Sequence, residues 1–368
     1  MGSVAWGTSP AWRFLKPLVP TPVFQSYWRF AAERQCIFYR RLRGEPRPWT
    51  SDPVLQQYKF TNAYRASDRT SQYLIRHVIY DGPQEVRESF FRILLFKFFN
   101  RIETWELLKC RLKEISWETY SFDRYDAELS SALDRGQPVY SAAYIMPSCA
   151  SSWGRKHRMH LRLLERMMAD DLPSRICGCQ SMSEVFAMLR SYPSIGDFLG
   201  YQYAIDLNYS RITNFSEADF VMSGPGALDG IHNCFSSLGS ASPEDAIRIV
   251  TDAQEACFRF LEIEFPTLWG RRLQLIDCQN LFCEIDKYSR VAHPDAIGRV
   301  GRTRIKQRFH PSDHIAEPWY PPKWRLNAKI VTTGFDCLHP NGVSNSSSCL
   351  TRPSFRPNLV EETDRRPR

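Results

Sequence analysis

The 368-residue sequence lacks any long uninterrupted apolar run. Its longest, Phe90 to Phe99, is broken by Arg92 and Lys97 and is too short to cross a bilayer. The basic, apolar, small-residue succession of a secretory signal is also missing from the N-terminus. Eleven cysteines are present, but they form no framework. The close pairs, Cys177-x-Cys179 and Cys278-x4-Cys283, belong to no four-ligand zinc pattern and to no iron–sulfur spacing. These absences argue against a membrane-spanning protein, a secreted disulfide scaffold and a metalloprotein. The expectation is a reduced intracellular protein, nuclear in a eukaryote and otherwise cytoplasmic, with no cofactor, metal or membrane partner. Nothing repeats at a fixed period, which argues against solenoids and propellers. Alternating strand patterns are scarce; Pro138 to Ile145 is the best candidate and it is short. No Gly-x4-Gly-Lys-Ser/Thr occurs, so no P-loop cradles a nucleotide.

What is present is aromatic and basic. Aromatic residues make up 13% of the chain, and the formal net charge is +8. The excess is rich in arginine, whose planar fork suits phosphate, so the charge favours a polyanionic partner. Most of the aromatic rings are expected in the core, where they bury much area per residue, and some are suited to stacking on bases.

Helical periodicity dominates. Phe24, Trp28, Ala31, Ala32, Gln35 and Phe38 follow a three-four spacing from Pro22 to Arg43, and Gly44 to Pro48 ends that helix. Asp52-Pro53 opens another. Thr61 or Asn62 is placed to cap a helix over 63–80, on which Arg65, Asp68, Arg69 and Gln72 share one face. Asp81-Gly82-Pro83 stops it, and 84–100 reads as a very apolar central helix followed by another from Thr104. Further helices are expected at 124–134, 154–171, 181–190, 197–207, 243–263 and 269–287. The fold class is therefore mainly α, a multi-helix bundle, and the segments below point to the helix-hairpin-helix, DNA glycosylase-like kind. The chain divides into an irregular lead-in (1–22), a helical domain of one body or two lobes around a cleft (23–290), a basic irregular segment (291–329) and a tail expected to be disordered (330–368). The run Arg299 to Arg308 fits either a phosphate contact or a solvated loop.

Three segments carry candidate chemistry. In the first, a short helix from Met182 to Arg190 runs through Pro193-Ser194-Ile195-Gly196 straight into a second helix. That is the layout of a helix-hairpin-helix phosphate cradle, with Gly196 allowing close backbone approach; an ordinary αα-hairpin has the same layout. In the second, Asp219 lies 23 residues beyond Gly196 (219 − 196). Helix-hairpin-helix glycosylases place a catalytic aspartate about that far on, to stabilise the cationic sugar or orient water once the base is flipped out. A helix cap or a surface ion pair would account for a lone aspartate equally. Gly224-Pro225-Gly226 opens a further helix and can expose amides to phosphate, though an ordinary turn has the same composition. Lyase-type relatives carry a Schiff-base lysine just after the hairpin glycine; Asp197 and Phe198 stand there, which disfavours that chemistry. Asp206-Leu207-Asn208-Tyr209 is a polar cluster at the end of the second helix. In the third segment, Gln279, Asn280, Glu284 and Lys287, followed by Tyr288, lay a polar stripe along a core-like helix, and buried amides there need partners. A base edge or a neighbouring helix end would serve.

The run Arg47 to Arg69, together with Asp206-Leu-Asn-Tyr209, Gly224-Pro-Gly-Ala227 and Cys283 to Tyr288, resembles the helical domain of 5-hydroxymethyl-deoxyuridine DNA kinases, over roughly residues 24–290. The resemblance implies thymine hypermodification and a fold similar to helix-hairpin-helix glycosylases. The kinases of phages join this domain to a P-loop kinase, a motif missing here, so kinase activity does not carry over with the resemblance.

The leading expectation is a protein that acts on a 5-substituted pyrimidine in DNA containing modified thymine or uracil. Asp219 and Glu284 would be the catalytic carboxylates. Asn62, Arg65, Asp68, Arg69, Gly196, Asp206, Asn208, Gly224, Gly226, Gln279, Asn280, Lys287 and Tyr288 would bind DNA or base. The alternatives are a non-catalytic reader of modified DNA, a monofunctional DNA glycosylase, and a scaffold whose polar stripes are interhelical struts.

Overall fold

The computed structural model describes residues 10–143, 146–147, 154–296, 301–311 and 317–333. Two buried helices organise them. The first, α2 (Val86–Phe99), follows α1 (Pro22–Leu42) in the chain and is buried along all but its first turn. It packs on α3 (Lys156–Ala169), on the helix Leu172–Cys177 and on the π-helical turn Leu74–Ile79. A helix apolar on all sides needs neighbours on all sides.

After α2 and α3 come α4 (Met182–Arg190) and α5 (Asp197–Asn208), which pack on each other as an antiparallel pair, with α5 also touching α2. The second organising helix is α7 (Leu275–Ala292), which packs against α1, against α6 (Pro225–Cys234) and against the helix Pro243–Asp252. Its approach to α6 is very close. A Cβ at Gly230 would lie 1.9 Å from the Phe282 carbonyl oxygen, so only glycine lets the two backbones meet there.

The one sheet among the described residues is β1 (Val19–Pro20) paired antiparallel with β2 (Phe235–Ser237). Trp12, Leu15 and Leu18 are buried, so the described part of the lead-in belongs to the packed body. No helix among the described residues is long and apolar enough to cross a membrane.

Several boundaries depart from the periodicity. The helix expected over 63–80 is a 3-10 turn at Arg65–Ser67, a short helix at Arg69–Tyr73 and then the π-turn, so Arg65, Asp68, Arg69 and Gln72 share no continuous face. Local bonds displace the helix. The Asn62 side-chain amide donates to the Ser67 carbonyl, and the Asn62 backbone N–H donates to the Asp68 carboxylate. The segment 243–263 divides into Pro243–Asp252 and Gln254–Phe260, where the Gln254 side chain donates to the carbonyls of Thr251 and Leu273. The helix expected from 269 begins at Leu275, because Trp269 and Gly270 take positive φ in a tight turn that bridges Leu268 and Arg271. Residues 138–143 form no strand, and Tyr144 and Ile145 lie outside the described residues. Leu326–Thr333 is helical at the start of the expected tail, whose remainder from 334 lies outside the described residues, as does Arg299.

Candidate functional site

The segment between Phe60 and Arg69 packs on α7 and reaches α5, and Arg65 is its anchor. The Arg65 side chain donates to Gln202 Oε1 (2.9 Å), Asp206 Oδ1 (2.8 Å) and the Tyr209 hydroxyl (3.1 Å), and its backbone N–H donates to Asp277 Oδ1 (2.8 Å). One arginine thus ties α5 to α7. Lys97, a cation inside apolar α2, approaches the other oxygen of Asp206 at 3.1 Å. Burial pushes the Lys97 ammonium down, against the pull of Asp206, and raises Asp277 to about 7. Arg65 is 2% exposed and Asp206 is 0%. At that burial the cluster is closed to a ligand and works as a strut, in which each charge needs its partner.

Outside this closed centre lies a second polar group, in which Asn280 and Glu284 are buried and Thr61, Asn62, Asp68 and Lys287 are partly exposed. Along α7, Asp277, Asn280, Glu284 and Lys287 recur at intervals of three and four and so share a face. That face meets Thr61 and Asn62. Two consecutive backbone amides each hold a carboxylate: Thr61 N–H donates to Glu284 Oε2 (3.0 Å), and Asn62 N–H donates to Asp68 Oδ1 (2.7 Å). Lys287 donates to Glu284 Oε2 (2.8 Å), and Asn280 Nδ2 donates to the Thr61 hydroxyl (2.9 Å). Arg34, from α1, donates to the Thr61 carbonyl (2.9 Å) and to Asn62 Oδ1 (3.0 Å). Burial raises Asp68 to about 7; the hydrogen bond from Asn62 lowers it, and nearby Glu284 raises it further. Paired carboxylates with one oxygen fixed by an amide are pre-oriented to accept a substrate's proton or hydroxyl, and a carboxyl near neutrality suits acid–base work.

The structure thus brings together Asn62, Asp68, Asn280, Glu284 and Lys287 from the sequence reading. Thr61, Arg34, Lys97, Glu217 and Asp277 went unselected there. For Lys97 the signal was available, since a cation within so apolar a run demands a buried partner.

The remaining candidates lie elsewhere. Asp219 is on an exposed turn, where its carbonyl accepts from Arg248, and it shares no partner with Glu284 among the described residues. The buried acid of that turn is Glu217, paired with Arg271 at 3.1 Å. Arg69 is exposed and pairs with Glu103. Asn208 holds the following loop through Thr213 and Phe215. Gln279 contacts Cys283 on the face of α7 turned to α6, and Tyr288 donates to Asp52. A Cβ at Gly224 would meet the Phe198 ring at 2.6 Å, and one at Gly226 would meet Cys283 Sγ at 3.3 Å, so packing alone accounts for both glycines. Gly196 has open space around its Cβ position at the start of α5. Arg190 and Asp197 pair across that hairpin.

The family model described as "5-hmdU DNA kinase, helical domain" matches residues 21–298, a span that holds both polar groups. The chain belongs to that family. A relative, the 5-hmdU DNA kinase of Bacillus phage SP10, is 27% identical over 286 residues, which is 72% of this chain and 45% of the relative. The chain therefore matches just under half the length of that relative. No solved structure matches.

Proposed function

We propose that this chain recognises a 5-hydroxymethyl-type pyrimidine in DNA, and that the polar group around Thr61, Asn62, Asp68 and Glu284 takes the substituted base. The observation that carries the reading is the pair of carboxylates on consecutive amides, in the family whose described member acts as a 5-hmdU DNA kinase. A base must leave the stack before side chains reach its substituent. In this reading the free carboxylate oxygens accept from the hydroxymethyl group, and Asp68 is the acceptor for its proton when the oxygen reacts. Asn62 and Asn280 are placed for the amide edges of the base, and Lys287 and Arg34 for neighbouring negative charge. The α4–α5 hairpin, with Gly196 at its turn and at the start of α5, is proposed to hold phosphate at that helix N-terminus. With no P-loop pattern in the sequence, phosphoryl transfer by this chain would need a donor site of another kind.

The test is substitution at the acids. Glu284→Gln and Asp68→Asn are expected to remove the preference for hydroxymethyluracil over thymine in a binding titration, while Asp219→Asn keeps it. If Asp219→Asn removes the preference and the other two keep it, the site lies instead on the exposed turn. Nucleoside mass spectrometry after incubation with DNA containing hydroxymethyluracil separates an enzyme from a reader: a new nucleoside marks turnover, and unchanged nucleosides with selective binding mark a reader.

A further inference from the structure

After α7, the chain returns across the molecule in a run outside the family match, Arg302-Thr303-Arg304-Ile305-Lys306-Gln307-Arg308. Every second residue is a cation. The run contains no helix or turn, and at Arg308 it pairs as a strand with Tyr58. Lys59 N–H donates to the Gln307 carbonyl (3.1 Å), and Phe309 N–H donates to the Gln57 carbonyl (3.0 Å). Upstream, Arg290 of α7 donates to the Arg304 carbonyl (3.2 Å). The run is therefore fixed at both ends, with its downstream end against Tyr58 and Lys59, the residues that lead into Phe60, Thr61 and Asn62.

Ile305 is buried, while Arg302, Arg304, Lys306 and Arg308 are all exposed. In extended chain, alternate side chains share a face and stand ~6.7 Å apart along it. Many surface arginines of this protein are neutralised by a carboxylate, as Arg87 is by Asp171 and Arg272 by Glu255. Among the described residues no ion pair holds any of these four. The carboxylate nearest in influence is Asp286, which Arg302 draws downward but which is itself paired with Arg290. Arg308 lies over the Tyr58 ring, 4.8 Å from its centroid, which leaves its guanidinium edge available.

We infer that this row of cations is a phosphate track that carries one DNA strand to the mouth of the site at Thr61 and Asn62. The inference rests on the proposed reading of that site. The outward positions carry no apolar side chain, so the row lacks what a lipid surface would bury, whereas a row of unpaired guanidinium and ammonium groups matches a chain of phosphodiesters.

The test uses the full chain with Arg304→Ala, Lys306→Ala and Arg308→Ala combined, titrated against oligonucleotides with and without hydroxymethyluracil over a range of salt. The slope of log affinity against log salt is expected to fall by about one per cation removed, equally for both oligonucleotides. The preference between them should persist. A milder variant, Arg304→Gln with Lys306→Gln, leaves the Tyr58–Arg308 contact intact and should show about two thirds of that change. An unchanged slope in both variants overturns the track. So does unaltered DNA binding alongside lost binding to phosphatidylserine-containing vesicles, which would make the row a lipid contact. Failure of the base site reads differently: the wild-type chain would show the salt slope and no preference between the oligonucleotides.

Discussion

Asp68 illustrates how far a single side chain can be argued. Its carboxyl is raised to about 7 by burial, from an ordinary value near 3.8, so the folded chain holds that proton after the unfolded chain has released it. Between pH ~4 and ~7 the native state binds the extra proton, so this group makes stability fall as pH rises through the window. Asp68→Asn keeps an acceptor for the Asn62 amide and cannot titrate. Its unfolding midpoint in urea should therefore decline less between pH 5 and pH 8 than the wild type's, and an identical decline would remove Asp68 as a titrating group. Much of this neighbourhood was legible in the sequence, because Asn280, Glu284 and Lys287 stand as polar residues at helical spacing in an apolar helix. What was not legible was which acid of a loop turns inward. The distance from Gly196 selected Asp219, whereas Glu217, two residues earlier, is the one buried against Arg271. Spacing along a chain carries no information about the direction of a loop side chain.

At the scale of elements, the α6–α7 contact is the most constrained. Gly230→Ala would press a methyl group into the Phe282 carbonyl, and the backbones of two helices would have to separate. The expected cost is about 3 kcal/mol, the upper part of the range for overpacking, measured by chemical denaturation. Gly196→Ala is the contrast. Its φ is −83° and its Cβ position is open, so stability should change by less than about 0.5 kcal/mol. Its DNA affinity should nevertheless drop if the hairpin amides approach phosphate, and unchanged affinity would make the pair an ordinary αα-hairpin. Most helices were readable from periodicity and stop signals, as with α1, α4 and α5. The departures occur where side chains take over backbone bonds, as Asn62 does with Ser67 and Gln254 with Thr251. Periodicity records burial and is silent about such competition.

At the scale of the whole molecule, the chain beyond the family match holds the site-bearing segment in place. Tyr320 is fully buried, its hydroxyl is bonded to Ser67 (2.8 Å), and Trp319 N–H donates to Gln72 (2.7 Å). Tyr320→Ala should cost about 3–5 kcal/mol, as for other large buried rings, and hydrogen exchange at the Asn62 and Arg65 amides should quicken with it. Exchange that quickens only around Tyr320 itself would show that the segment stands without the strap. The sequence pattern weakens beyond 289, and this return across the molecule could not be read from it, since Tyr320 packs against residues about 250 positions earlier. The central claim, that a substituted pyrimidine is the ligand, is tested most directly by the wild-type chain alone. Fluorescence anisotropy with oligonucleotides that differ by one hydroxymethyluracil in place of thymine should show binding about tenfold tighter to the modified strand, worth about 1.4 kcal/mol. Equal affinity for the two strands would contradict it.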